Sequence, residues 1–277
     1  MTQSFLIGLI GEGIAGSRSP DMHQREADRL GLRLIYQRID LKVLGLGLDA
    51  LPDLLLSAER MGFKGLNITH PAKQAVIPLL TELSDEARAI GAVNTVVLTD
   101  GRRIGHNTDA WGFGQGLKRG LPSAPMQRVV QLGAGGAGAA TGYALLKLGA
   151  RDLAIHDRDL GRAGALAARL AAQFPEAQVS AVTDAEAAVR AAQGLVNATP
   201  IGMTGHSGLP LPAEWLRRDL WVADVVYVPP VTELLARAQA IGAPHVGGVA
   251  MAVFQAARAF ELFTGQPADA ERMLASF

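Results

Sequence analysis

The chain has 277 residues, room for one large or two ordinary domains, and 49% of them are apolar, enough for a sizeable core. Its 26 basic and 26 acidic residues cancel and are interspersed, which argues against a partner that is nucleic acid or a membrane surface. Cysteine is absent, which excludes disulfides and thiolate metal sites, and the six histidines lack ligand spacing, so no metal is expected.

Residues 5–10 read as a buried strand, too short and too little preceded by basic residues for a signal segment. No apolar run reaches spanning length, so a soluble, cytoplasmic protein is expected. After the loop 11–19, Pro20 suits a first helical position with Ser19 as N-cap, and the helix should end at Leu30 before Gly31. Strand 34–39, helix 51–61 and strand 65–69 follow. Pro71 then opens a helix with Lys73 in its first turn, and 92–98 is a further strand. Strands alternating with helices indicate an α/β layer with a mostly parallel sheet.

Three polar details stand out in this half. Ser17 and Ser19 are two apart, and Pro20 biases Ser19 towards extended backbone, so the hydroxyls could clamp a carboxylate; a plain helix cap explains Ser19 equally well. Asn67 and Thr69 alternate with Leu66 and Ile68, giving one polar strand face, for a ligand or for solvent. Lys73 is the third. A helix N-terminus and partial burial both disfavour its cation, which would suit proton exchange with an alcohol or carbonyl oxygen. A carboxylate in the same site would pull the other way, and a lone lysine is more often a surface residue.

The run Arg128-Val129-Val130-Gln131-Leu132 leads into Gly133-Ala134-Gly135-Gly136-Ala137-Gly138, a G-x-G-x-x-G after a β-branched strand. An alanine-rich helix over 139–148 and a second strand over 153–156 follow, closed by Asp157, about 20 residues past the glycines. Gly133 suits the tight turn, Gly135 the approach of a pyrophosphate and Gly138 close helix–strand packing. The helix N-terminus offers N–H groups to the phosphates. This is the pattern of a Rossmann-type dinucleotide half. Further on, 195–197 and 221–226 read as strands, Pro229 and Pro230 break the second, Thr232 caps a helix over 233–240, and 251–263 is the last helix.

Ser17-Arg18-Ser19-Pro20, the N-x-T-x-P-x-K run from Asn67 to Lys73, Asn94 within 91–96, Asp109 within 105–109, the loop 197–203, Asp224 to Tyr227, and 248–255 stand in order along the chain. Together they resemble the shikimate dehydrogenase family over essentially the whole sequence. The resemblance implies an α/β fold of two domains. Residues 1–106, completed by 247–277, would form the substrate domain, and 107–246 the Rossmann domain, with the last helices returning to the first and a cleft between. It also implies roles. Ser17 and Ser19 would hold the substrate carboxylate, Asn67, Thr69, Asn94, Tyr227 and Gln255 would contact the substrate, and Lys73 with Asp109 would be catalytic. Gly133, Ala134, Gly135, Gly136, Ala137, Asp157, Arg158, Thr199, Pro200, Met203, Val225, Gly248 and Met251 would bind the cofactor.

One departure from the family pattern bears on the cofactor. NADP-using members carry Asn-Arg-Thr after the second Rossmann strand; here Asp157-Arg158-Asp159 stands there, with Arg162 beyond. A carboxylate accepts from a ribose 2′-hydroxyl and repels a 2′-phosphate, so NAD is expected over NADP. The expected reaction is NAD-dependent oxidation of shikimate to 3-dehydroshikimate. The alternatives are quinate or aminoshikimate as substrate, and an idle NAD-binding regulator, against which intact Lys73 and Asp109 speak. Quinate-accepting members often carry Thr or Gly at the second clamp position, so Ser19 leans towards shikimate. The partner is then a small hydroxy acid, and the chain a monomer or homodimer.

Overall fold

The structure, a computed structural model, describes residues 4–277. The chain divides into two compact units: the part up to Thr108 together with Gln255–Phe277, and Asp109–Phe254. The division falls inside the helix Gly248–Thr264.

The first unit is built on six strands: β1 (Ser4–Gly11), β2 (Arg33–Asp40), β3 (Gly65–Ile68), β4 (Glu82–Leu83), β5 (Thr95–Thr99) and β6 (Arg102–His106), in the order β2-β1-β3-β5-β6-β4. The β1–β2, β1–β3 and β4–β6 pairs are parallel, while β5 runs antiparallel to β3 and β6. Alternation along β1 covers both faces. Phe5, Ile7 and Leu9 pack with Tyr36, Phe260 and Phe263, and Ile10 packs on the other side with Leu51, Leu55, Leu66 and Ile68. Truncating a fully buried member such as Leu55 to Ala should cost roughly 2–5 kcal/mol.

Sequence and structure differ at three points here. The helix over Ser19–Arg29 has Arg18 at its cap position, near helical backbone, with no side-chain cap bond, so Ser19 is not the N-cap. Ser17 Oγ instead accepts the Ser19 N–H at 3.3 Å. The helix holding Lys73 is a single turn, Ala72–Ala75, followed by a 3-10 turn containing Pro78. A macrodipole needs aligned turns, so the expected dipole effect on Lys73 loses its basis. Finally, the strand expected over 92–98 begins at Thr95 and forms a hairpin with β6 across Asp100 and Gly101, both at positive φ. Asp-Gly is a strong two-residue hairpin signal, so this turn is encoded locally.

The second unit carries β7 (Arg128–Leu132), β8 (Asp152–His156), β9 (Gln178–Ala181), β10 (Gly194–Asn197), β11 (Trp221–Asp224) and β12 (His245–Val246). They form a wholly parallel sheet in the order β12-β11-β10-β7-β8-β9. Counted from β7, this is the 3-2-1-4-5-6 order of dinucleotide-binding sheets, with the strand order reversing between β7 and β10. Val130, Leu195, Val222 and Leu234 lie in one buried cluster. Among the described residues no helix is long and apolar enough to cross a membrane.

Candidate active site

In the first unit the register brings several loops to one end of the sheet. The C-termini of β1, β3 and β6 and the start of β5 lie together there, since Ile10 pairs with Ile68, Asn67 with Thr95 and Thr95 with His106. Ligands of open α/β sheets bind outside such strand ends. Ser17, Thr69, Lys73 and Asn94 all belong to segments that leave or enter at this end. The loop after β1 is tied down by Asp40, whose carboxylate accepts the N–H groups of Gly13 and Ile14 at 3.0 and 2.8 Å. Arg38 donates to the Ser17 carbonyl at 2.9 Å. Ser17, Ser19, Thr69 and Lys73 are half-buried, and the Lys73 carbonyl accepts from Val93 N–H at 2.8 Å, which locks its turn to the residues before β5.

The same unit holds a buried network of side chains. Tyr36 Oη donates to Asn67 Oδ1 at 2.7 Å, and Asn67 Nδ2 donates to Thr95 Oγ1 at 3.1 Å and to the Asn94 carbonyl at 3.3 Å. Both N–H bonds of Asn67 are thus taken; on the polar strand face Asn67 is buried and Thr69 half-buried. Asn94 Oδ1 accepts from Thr95 Oγ1 at 3.0 Å and from Thr108 N–H at 2.8 Å, while its Nδ2 donates to Thr108 Oγ1 at 2.9 Å. Gln255 Oε1 lies 3.4 and 3.5 Å from Thr108 Oγ1 and Asn94 Nδ2. Of the expected substrate residues, Asn67, Asn94 and Gln255 therefore meet. Tyr36, Thr95 and Thr108 were not singled out from sequence; nothing in hydrophobic periodicity marks a buried hydroxyl.

In the second unit the glycine turn leaves β7 and feeds the helix Gly136–Lys147, with Gly135 at the cap position. Gly133 has φ +99°, and a Cβ there would collide with the Ala198 carbonyl. A Cβ on Gly138 would strike the Gly133 carbonyl, whereas one on Gly135 would meet no protein atom within 4 Å. Protein packing thus demands glycine at 133 and 138, and leaves 135 free for an incoming group. Asp157, just past β8, accepts the Ala134 N–H through Oδ2 at 2.7 Å and the Asp159 N–H through Oδ1 at 2.9 Å. Arg158 is exposed; Asp159 caps the next helix at Arg162 N–H and lies 3.7 Å from the Arg162 guanidinium.

The loop after β10 hangs on Asn197. Its Oδ1 accepts from Thr199 N–H and Oγ1 at 3.1 and 2.7 Å, and its Nδ2 donates to the Ile201 carbonyl and to Asp224 Oδ1 at 3.1 and 3.0 Å. Pro200 and Met203 stand exposed at the loop's tip, in a turn where the Met203 N–H reaches the Pro200 carbonyl. Burial pushes the Asp224 carboxyl up, against the hydrogen bonds from Thr232, Val226 N–H and Asn197. Beyond it, Val225 and Gly248 are in contact, since a Cβ on Gly248 would strike the Val225 carbonyl. Met251 and Asp224 line one small cavity with Phe113 and Gly116. Buried Asp109 opens the helix Asp109–Gly120, and burial together with its charge raises the Tyr227 hydroxyl above its ordinary value. Among the described residues no group of three or more His, Asp or Glu could hold a metal ion.

Comparison with known proteins finds relatives along the whole chain. Residues 9–96 match the family model for the shikimate dehydrogenase substrate binding domain, and 248–276 that for the shikimate 5'-dehydrogenase C-terminal domain. The chain is 52% identical to a shikimate dehydrogenase (NADP(+)) of Pseudarthrobacter chlorophenolicus, over 100% of this chain and 95% of the relative. It is 48% identical to a quinate/shikimate dehydrogenase (NAD(+)) of Corynebacterium efficiens, over 99% and 98%. Among solved structures, quinate dehydrogenase from Corynebacterium glutamicum in complex with NAD matches with a TM-score of 0.92 at 46% identity, over 100% of this chain and 99% of that one.

Proposed function

Because the chain belongs to the shikimate dehydrogenase family, we propose that it catalyses the reversible NAD-dependent oxidation of shikimate to 3-dehydroshikimate. At the coarser level it is a nicotinamide-dependent dehydrogenase of the shikimate/quinate type. The residues present fit the cofactor: glycines at 133 and 138 that packing requires, an unobstructed Gly135 and a helix N-terminus behind it. Gly133 to Ala137 would hold the pyrophosphate, Asp157 the adenine ribose, and Thr199, Pro200, Met203, Val225, Gly248 and Met251 the nicotinamide end. The cofactor, when bound, supplies the hydride acceptor.

The chain's own residues do the rest. Ser17 and Ser19 bind the substrate carboxylate, and the network through Asn94 and Gln255 orients its hydroxyls. Lys73 Nζ takes the hydroxyl proton during oxidation and returns it during reduction, and Asp109 hydrogen-bonds the substrate. Such proton transfer contributes roughly 10²–10⁴-fold in rate.

The observation that carries the NAD assignment is Asp157, bonded to the glycine turn from the end of β8. A relative named for NADP is 52% identical and one named for NAD 48%; the local charge at Asp157 supports NAD. Two unit charges about 5 Å apart repel by roughly 1–3 kcal/mol between water and a protein surface, about tenfold or more in affinity against a 2′-phosphate. Arg162 lies against Asp159 and is partly neutralised by it. A second reading, with quinate as substrate, is favoured by the likeness to quinate dehydrogenase. Quinate needs a partner for its extra hydroxyl beside the carboxylate, at the Ser17–Ser19 clamp. Initial rates for shikimate and quinate, each with NAD and NADP, test both points. Shikimate with NAD should give the highest kcat/KM; a preference for NADP would overturn the role of Asp157.

A further inference from the structure

Strand β7 delivers the chain to the glycine turn through residues that are apolar in the core, with one exception. Gln131 is fully buried in the middle of Val129, Val130 and Leu132. Its amide is saturated in a specific way. Nε2 donates to the carbonyls of Gly133 and Gly138, both at 2.9 Å, and Oε1 accepts from Thr141 Oγ1 at 2.8 Å. Thr141 is itself fully buried and also reaches the Gly138 carbonyl at 3.2 Å. Gly133 and Gly138 are the first and last glycines of the turn, and they approach so closely that a Cβ on Gly138 would strike the Gly133 carbonyl. Two carbonyl oxygens brought together at such a neck repel unless a donor sits between them. The Gln131 amide is that donor.

We propose that Gln131, held by Thr141, is a positioning residue for the cofactor pyrophosphate. It pins the carbonyls of the turn inward, which leaves the N–H groups at the start of the helix Gly136–Lys147 facing outward to the phosphates. Asp157 holds the outer side of the same turn at Ala134 N–H. The turn's anion-binding shape thus depends on a side chain that touches no ligand. This rests on the reading of the turn as a dinucleotide site.

The test is binding, not turnover. Isothermal titration calorimetry with NAD and with ADP-ribose, which keeps the pyrophosphate and lacks the nicotinamide, is run on the wild type, Gln131→Met, Thr141→Val and Thr141→Ser. Gln131→Met keeps length and loses both donors, and should weaken both ligands about tenfold. Thr141→Val should weaken them less, and Thr141→Ser, which keeps the hydroxyl, should restore binding. At saturating cofactor, kcat should stay within about twofold of the wild type and KM for the hydroxy acid should not move. Thermal unfolding of each variant separates loss of fold from loss of binding, and Thr141→Val serves if Gln131→Met does not fold. Affinities unchanged in Gln131→Met, or in Thr141→Val if that variant alone folds, overturn the proposal alone. A wild type that binds neither ligand overturns the dinucleotide reading, and the proposal with it.

Discussion

Asn94 in the first unit and Gln131 in the second are both buried amides, and they are used differently. Gln131 bonds backbone carbonyls two and seven residues along the chain, and Asp157 and Asn197 likewise hold backbone N–H groups of the turn and the loop. Asn94 bonds the side chain of Thr108, 14 residues on, and lies within reach of Gln255, 161 residues on, in a network that also takes in Asn67 and Thr95. The second site is therefore shaped largely by side chains that hold backbone groups, the first largely by bonds from side chain to side chain. A backbone-shaped site should lose ligand affinity in graded steps. A side-chain network should fail as a unit, because each partner left behind is a buried polar group without a bond.

The largest effect should come from the residue that neither arrangement replaces. Lys73→Ala should lower kcat by roughly 10²–10⁴-fold while NADH affinity, read by fluorescence titration, stays near the wild-type value. A parallel loss of NADH binding would mean that the two sites are not separable in this way. Next, Asn94→Ala strands Thr108 N–H and the Thr95 hydroxyl, and should cost about 2–4 kcal/mol in denaturant unfolding. A double-mutant cycle with Thr108→Val should give a coupling of about 1–2 kcal/mol; simple additivity would mean that the network does not fail as a unit.

A third prediction concerns acid. His23 is fully buried against Tyr36, Phe260 and Phe263, and burial holds its imidazole down from 6.5 to about 3. As pH falls below 6.5 the unfolded chain takes up the proton first, so His23's contribution is intact above that pH and is lost progressively below it. The slope approaches about 1.4 kcal/mol per pH unit, or about 2.7 kcal/mol by pH 4.5. His23→Phe should flatten that limb in unfolding curves taken from pH 7 to 4.5; an unchanged slope would place the acid lability elsewhere. The smallest effect is expected at the cofactor's ribose. Asp157→Asn keeps an acceptor and removes the charge, and should raise the NADP to NAD ratio of kcat/KM about tenfold. No change would mean that Arg158 and Arg162 govern the choice.

The difference between the units also governs what could be read from sequence. Glycine spacing, a β-branched run and a trailing acid are local, so the turn, its helix and Asp157 were legible from the residues themselves. Asn94 and Gln255 acquire roles only through family resemblance, since no local pattern joins residues 161 positions apart; Lys73 stands out in its own segment, where a surface lysine is the competing reading and the resemblance decides for catalysis. Gln131 is instructive in another way. A polar residue in the middle of an apolar strand was visible, but its partners depend on how closely the turn folds back, which periodicity does not encode. The Asp100-Gly101 hairpin is encoded locally, in a dipeptide that apolar periodicity does not weigh, and the single-turn helix at Lys73 is cut short by Pro78, a local stop signal.

Direct hydride transfer links a hydroxyl-bearing carbon of the acid to the nicotinamide in the proposed reaction. Its most direct test is oxidation of shikimate carrying deuterium at carbon 3, followed by mass analysis of the reduced cofactor. The expected result is one deuterium in each NADH formed, with a slower rate than for unlabelled substrate when the chemical step limits turnover. Unlabelled NADH, or no NADH from shikimate or quinate, would contradict it.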